Sequence, residues 1–166
     1  MVELEENILI NASYLPTKSL VEQVRNLSEN QAIFKGEEVI AFFTSDTQED
    51  VDFTLYKQIE CSEDVLQLKN TWDIFSLNDK AIKADFGLIT QERTSQPIPE
   101  GVHAINKENI FIEEGATISF SSLNASKGPI YIGKDAEIME GCLVRGPFAM
   151  CEHSVLKMGA KVYLSL

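Results

Sequence analysis

The nine glycines of this 166-residue chain never cluster, and no two lie closer than five residues apart. A loop that cradles phosphate on backbone N–H groups needs neighbouring positions without side chains, so a glycine-rich phosphate loop is excluded. Basic residues are also few. Fourteen Lys and Arg stand against 26 Asp and Glu, giving a net charge of -12 and a pI near 4.5. Phosphate backbones and anionic membrane surfaces both call for the opposite balance, which argues against sequence-independent nucleic-acid binding and disfavours docking onto an anionic membrane. No apolar run reaches the roughly 18 residues of a spanning helix, and Met1-Val-Glu-Leu-Glu-Glu has neither the basic start nor the apolar core of a signal peptide. The three cysteines, Cys61, Cys142 and Cys151, are odd in number and lack CxxC spacing. They read as reduced thiols of a cytoplasmic protein, neither a disulfide framework nor a zinc site.

What is present is a globular composition, 44% hydrophobic and 24% charged. The first ninety-odd residues mix strand and helix signals. Asn7-Ile-Leu-Ile-Asn reads as a strand. Thr17 is placed to N-cap a helix over 18–27, with Leu20, Val21, Val24 and Leu27 on one stripe. Gln31-Ala-Ile-Phe and Glu38-Val-Ile-Ala-Phe-Phe flank Gly36 as a hairpin. Val51, Phe53 and Leu55 alternate with polar or amphipathic neighbours, the period of a half-buried strand. Thr71 is placed to cap a longer helix from Trp72 into the eighties, in which Phe75, Ile82, Phe86 and Ile89 repeat at helical spacings and Trp72 reads as a core anchor.

Gln96-Pro-Ile-Pro-Glu-Gly101 reads as a linker, since two prolines end a helix and stiffen the connection. It divides the chain into an α/β segment, 1–97, and a second region, 98–166. In that region the period changes. Ile132, Ile138, Val144, Met150, Leu156 and Val162 recur every six residues, and Ile112 and Ile118 show the same step earlier. Two residues before each later member stand Ala136, Cys142, Phe148, Ser154 and Ala160, a column of small residues with Phe148 as its misfit. Six is the hexapeptide step of a parallel β-helix, in which three hexads complete a turn and each aliphatic residue stacks on its counterpart in the next coil. Gly115, Gly141 and Gly159 share one hexad position, as turns of positive φ require. Between Ile118 and Ile132 the spacing is 14, so Ser119–Gly128 is expected to be a loop extruded from the coil.

Pro129-Ile-Tyr-Ile-Gly-Lys-Asp-Ala-Glu-Ile, followed by Cys142-Leu-Val-Arg-Gly-Pro-Phe, resembles the start of the left-handed β-helix in sugar-nucleotide transferases. Thr71-Trp-Asp-Ile-Phe-Ser-Leu-Asn resembles the helix that joins the two modules of those enzymes. The resemblance is to the GlmU-like bifunctional sugar-phosphate nucleotidyltransferase/acetyltransferase family, and Asn11-Ala-Ser-Tyr-Leu-Pro resembles a divergent bacterial branch of it. The implied fold is an α/β N-terminal segment followed by a left-handed parallel β-helix of hexapeptide repeats. The implied activities are nucleotidyl transfer to a sugar 1-phosphate with Mg²⁺, and acyl transfer from acetyl-CoA to an amino sugar at the interfaces of a homotrimer. The implied partners are therefore a sugar phosphate, a nucleotide or acyl-CoA, and further copies of the chain. The chain departs from the family in its glycines and in having only about two regular coils. It reads as a fragment, expected to be inactive alone and to bind no cofactor itself. The alternative is a noncatalytic oligomerisation or sugar-nucleotide-sensing module.

The same resemblance implies that Arg145 contacts the sugar phosphate and that a lysine one coil later shares the task. One coil on from Arg145 is Tyr163, a departure at the second position. On the residues alone, Arg145 projects outward from a coil side, solvated or paired. His153 is a possible general base with no carboxylate evidently placed to orient it. His103 has no partner pattern. Asp46, Glu49, Asp50 and Asp52 form an acidic cluster that suits Mg²⁺ or simply solvation. Cys142 fits the small column and reads as packing.

Overall fold

The structure, a computed structural model, describes residues 7–45 and 51–163. It forms two units that divide between Thr71 and Trp72. In the first, β1 (Asn7–Ile10), β2 (Gln31–Lys35), β3 (Glu38–Thr44) and β4 (Lys57–Glu60) make one sheet in the order β1-β3-β2-β4. β3 is antiparallel to both neighbours, while β2 and β4 run parallel. Helix α1 (Lys18–Arg25) starts where the capping residue predicts: Thr17 Oγ1 accepts from the Leu20 N–H at 3.1 Å. Its stripe buries Leu20 and Val24, and with Leu27 they form one core with Tyr14, Ile33, Ile40, Ala41, Cys61 and Val65. The hairpin turns at Gly36, whose φ of +61 is left-handed.

The strand expected over Val51–Tyr56 is absent. Phe53–Leu55 is a 3-10 turn, and the pairing strand β4 begins only at Lys57. The cause is local: Asp52 accepts from both the backbone N–H and the hydroxyl of Thr54, at 3.0 and 2.7 Å, offering the backbone an alternative to the ladder. The turn aims Phe53 edge-on at Phe34 and Phe42.

The second unit takes in the helices as well as the coils, so 72–97 go with the β-helix and not with the sheet; the expected boundary at 97 marks only where the coils begin. The expected single helix is broken into α2 (Asp73–Ser76) and α3 (Asn78–Thr90). Trp72, not Thr71, stands at the N-cap, and its side chain makes no cap bond. Trp72 is no core anchor either. It is 65% exposed and Phe75 is 76% exposed, because the coils fill their interior with their own side chains and leave a one-turn helix nothing to bury.

The coils form a left-handed parallel β-helix of about three turns. One wall is β7 (Thr117–Ile118), β10 (Glu137–Ile138) and β13 (Val155–Leu156). A second is β5 (His103–Ile105), β8 (Ser122–Asn124), β11 (Leu143–Arg145) and β14 (Lys161–Val162). The third is β6 (Ile110–Ile112), β9 (Ile130–Ile132) and β12 (Phe148–Met150). The hexad residues stack as the period predicts: Ile132 on Met150, Ile138 on Leu156, and Val144 on Val162, each pair three hexads apart. Ile138 is fully buried, with Ile118 as its neighbour on the other side.

Two expectations about this region are corrected. Ser119–Gly128 is not an extruded loop, because it carries β8, and Leu123 is 1% exposed between Ala104 and Val144. The wall was hidden because Leu123 follows Ile118 at one step short of a hexad, and the surplus falls at the next corner. Phe148 is no misfit. It pairs with Ile130, itself paired with Ile110, so this column holds large residues throughout. The glycine expectation stands. Gly115, Gly141 and Gly159 have φ near +75, while Asp135 and His153 take the same left-handed conformation at the corners that match Gly115 in the next coils.

Candidate functional site

Alternation along a strand sends successive side chains to opposite faces. In the second wall it points Ala104, Leu123, Val144 and Val162 inward. Their neighbours His103, Ile105, Ser122, Asn124, Leu143, Arg145 and Lys161 belong to the outer face. No strand of this wall carries an acidic residue, in a chain with a net charge of -12. Parallel pairing then sets Arg145 beside Asn124 and Leu143 between Ser122 and Lys161.

These side chains border a hollow of about 610 Å³, to which Tyr163 also contributes. The structure thus brings Arg145 and Tyr163, the two candidates picked out in the sequence, to one place. Arg145 is exposed and has no ion-pair partner among the described residues. Lys161, Asn124 and Ser122 were missed. The signal was available for Lys161, which lies one regular coil after Leu143. It was weaker for Asn124, because its pairing with Arg145 spans a coil longer than three hexads. Chemically the hollow offers a guanidinium fork, an ammonium, an amide and a phenol, and among the described residues no carboxylate borders it to repel an anion.

The remaining candidates lie elsewhere. His153 does have a carboxylate near it, contrary to the sequence reading. Its Nδ1 lies 3.9 Å from Asp135 Oδ2, but both side chains are exposed at a corner and neither borders the hollow. His103 is exposed on the first strand of the same wall. Cys142 is buried, and its thiol donates to the Lys157 carbonyl at 3.2 Å, which fits packing. Asp46, Glu49 and Asp50 lie outside the described residues, and Asp52 is engaged in capping the 3-10 turn. Among the described residues no group of three His, Cys, Asp or Glu is placed to hold a metal ion. A smaller groove of about 300 Å³ in the first unit, between β1 and Phe53, is apolar apart from Asn11 and holds no titratable side chain.

Two polar clusters escaped the sequence reading altogether. In the first unit the Tyr14 hydroxyl donates to Glu38 Oε2 at 2.7 Å, and Gln67 Nε2 donates to the same oxygen at 2.6 Å. Burial, reinforced by that carboxylate, pushes the Tyr14 phenol up to about 12, while the donated bonds from Tyr14 and Gln67 hold Glu38 below its usual value. In the second unit Arg93 Nη2 meets Glu113 Oε1 at 2.6 Å, Tyr131 donates to the same oxygen, and the guanidinium lies 5.1 Å from the Phe111 ring. The bond from Tyr131, and then Arg93, lower the Glu113 carboxyl.

Among the described residues no helix is long and apolar enough to cross a membrane. Compared with known families, residues 1–94, more than half of the chain, match the family described as sugar nucleotidyl transferase. No curated protein and no solved structure matches.

Proposed function

The chain belongs to the sugar nucleotidyl transferase family, and from that premise we propose that it is part of a GlmU-like bifunctional transferase whose β-helix holds a phosphorylated amino sugar. In such a protein the first module joins a sugar 1-phosphate oxygen to the α-phosphorus of a nucleoside triphosphate, releasing pyrophosphate. The β-helix sets the sugar amine against a thioester carbonyl, releasing the coenzyme thiol. The observation that carries the reading is the hollow of the second wall, which no acidic side chain borders among the described residues. Arg145 presents parallel N–H donors that match a phosphate, Lys161 adds a second positive charge, and the Asn124 amide and Tyr163 hydroxyl offer donors for sugar oxygens. The three cysteines are all unpaired, which supports a cytoplasmic setting, where sugar nucleotides are made.

By itself the chain catalyses neither step. No glycine-rich phosphate loop is encoded in it, and Tyr163 stands where the resemblance places a lysine. The glycine spacing also favours the second reading, a sugar-nucleotide-sensing or oligomerisation module that binds without turnover. Titration of the full chain with glucosamine 1-phosphate tests the shared step. Saturable binding that is lost in Arg145→Ala and weakened in Lys161→Ala is expected, and no binding to the unmodified chain would overturn it. Incubation with glucosamine 1-phosphate, UTP, acetyl-CoA and Mg²⁺ is expected to release neither pyrophosphate nor thiol. Enzyme-dependent release of either would show that the chain is active alone.

A further inference from the structure

A parallel wall has two open edges, and in the third wall one of them is the outer edge of β6. Pairing with β9 uses groups that alternate along β6, as in the Glu113 N–H bond to the Ile132 carbonyl. Ile112 therefore turns its own N–H and C=O the other way. An uncovered strand edge is a template for another chain. Here it is covered from within. The Gln96 N–H donates to the Ile112 carbonyl at 2.8 Å, and the Ile112 N–H donates to Ser95 Oγ at 2.9 Å.

The strap that makes these bonds, residues 93–96, is short and its side chains are mostly exposed. Two backbone-edge bonds are weak tethers, so something else must hold it. Arg93 does so at three points. Its Nη1 donates to the Ile89 carbonyl at the end of α3, its Nη2 meets Glu113 one residue beyond β6, and its guanidinium faces Phe111 on β6. Glu113 is in turn fixed by Tyr131 from the next coil, whose ring stacks on Phe111 at 5.9 Å. Phe111 belongs to the outer face of its wall yet is buried, and Glu113 is largely covered, while Arg93 lies over them with its guanidinium still partly open to solvent.

We propose that Arg93 is a latch, that the strap it holds closes the first coil's open edge, and that its release exposes Ile112 to edge pairing with a second copy of this chain. A second copy is the partner because the third wall runs β12-β9-β6, so its other end strand, β12, presents an outer edge with the parallel register that continues onto β6 of the next copy. The latch turns self-association on or off without altering the hollow on the second wall.

Amide hydrogen exchange and sedimentation velocity on the full chain test both halves. In Arg93→Ala, exchange at Gln96 and Ile112 is expected to rise by about tenfold or more while Glu137 and Leu143 keep their protection, the signature of local opening. Sedimentation of the same variant is expected to become more concentration-dependent than that of the unmodified chain. Glu113→Gln, which removes the charge but keeps an oxygen for Tyr131, is expected to shift both readouts the same way by less. It also serves if Arg93→Ala loses protection throughout. Unchanged exchange at Gln96 in the local variants would overturn the latch. Opening without added association would overturn the proposed consequence.

Discussion

The two units bury apolar residues by different rules. In the sheet unit, β1 carries the run Ile8-Leu9-Ile10, yet all three are exposed, since β1 is an edge strand and α1 packs elsewhere. In the β-helix, the equally apolar run Ile110-Phe111-Ile112 is buried at every position, two residues by the coil interior and Phe111 under the Arg93 joint. Apolar composition is thus the same evidence in both places and has opposite outcomes. What differs is whether a neighbour exists for each face. A coil carries its neighbour one turn further along the chain, whereas a sheet strand depends on an element from anywhere in the sequence.

If that contrast is right, the β-helix core should tolerate least. Ile138→Asp places an unpaired charge between Ile118 and Leu156, at several kcal/mol, and is expected to abolish folding of the coils. Circular dichroism with thermal melting checks it, and a soluble variant with unchanged melting would break the stacking account. Leu123→Ala is expected to cost about 2–5 kcal/mol, since Leu123 fills an interior position fully. A denaturant midpoint indistinguishable from the unmodified chain would return Ser119–Gly128 to the status of a loop. Gly133→Ala is expected to cost about 1–3 kcal/mol, because an added Cβ would lie 2.7 Å from the Glu152 backbone nitrogen in the next coil. Urea unfolding reads that directly.

The sheet unit should respond more gently. Thr17→Ala removes the cap of α1 and is expected to cost about 1 kcal/mol by the same measurement. Tyr14 gives a titration. Its phenol is raised to about 12 in the folded chain from an ordinary 10.0, so its stabilisation is fully present below pH 10 and is lost as pH rises toward 12. Absorbance at 295 nm should show a tyrosine ionising late, and Tyr14→Phe should remove the latest step. Ionisation of all four tyrosines together near 10 would sever the link to Glu38.

The same contrast explains what could be read without a structure. The hexad walls were legible because Ile132, Ile138 and Val144 repeat a fixed step, and so was the Thr17 cap, which depends on three adjacent residues. Leu123 was not, since the early coils run longer than three hexads per turn and break the count. The 3-10 turn at Phe53 was masked by an alternation that fits a strand equally well. For the candidate site, Arg145 came from the family resemblance and Tyr163 from counting one coil on from it, and Lys161 obeys the same count from Leu143. The Tyr14 cluster joins residues by distance in space alone, and in the Arg93 cluster the coil register pairs Phe111 with Tyr131 but does not reach Arg93.

The walls also behave like text read in a frame. Inserting one residue between Glu137 and Ile138 would put a new side chain at the inward position of that wall and turn Ile138 to its outer face. The same insertion at 126–128, in the corner where this chain already carries surplus residues, would leave both neighbouring walls in phase. Corners are therefore punctuation, where length can change freely, and walls are words that admit no added letter.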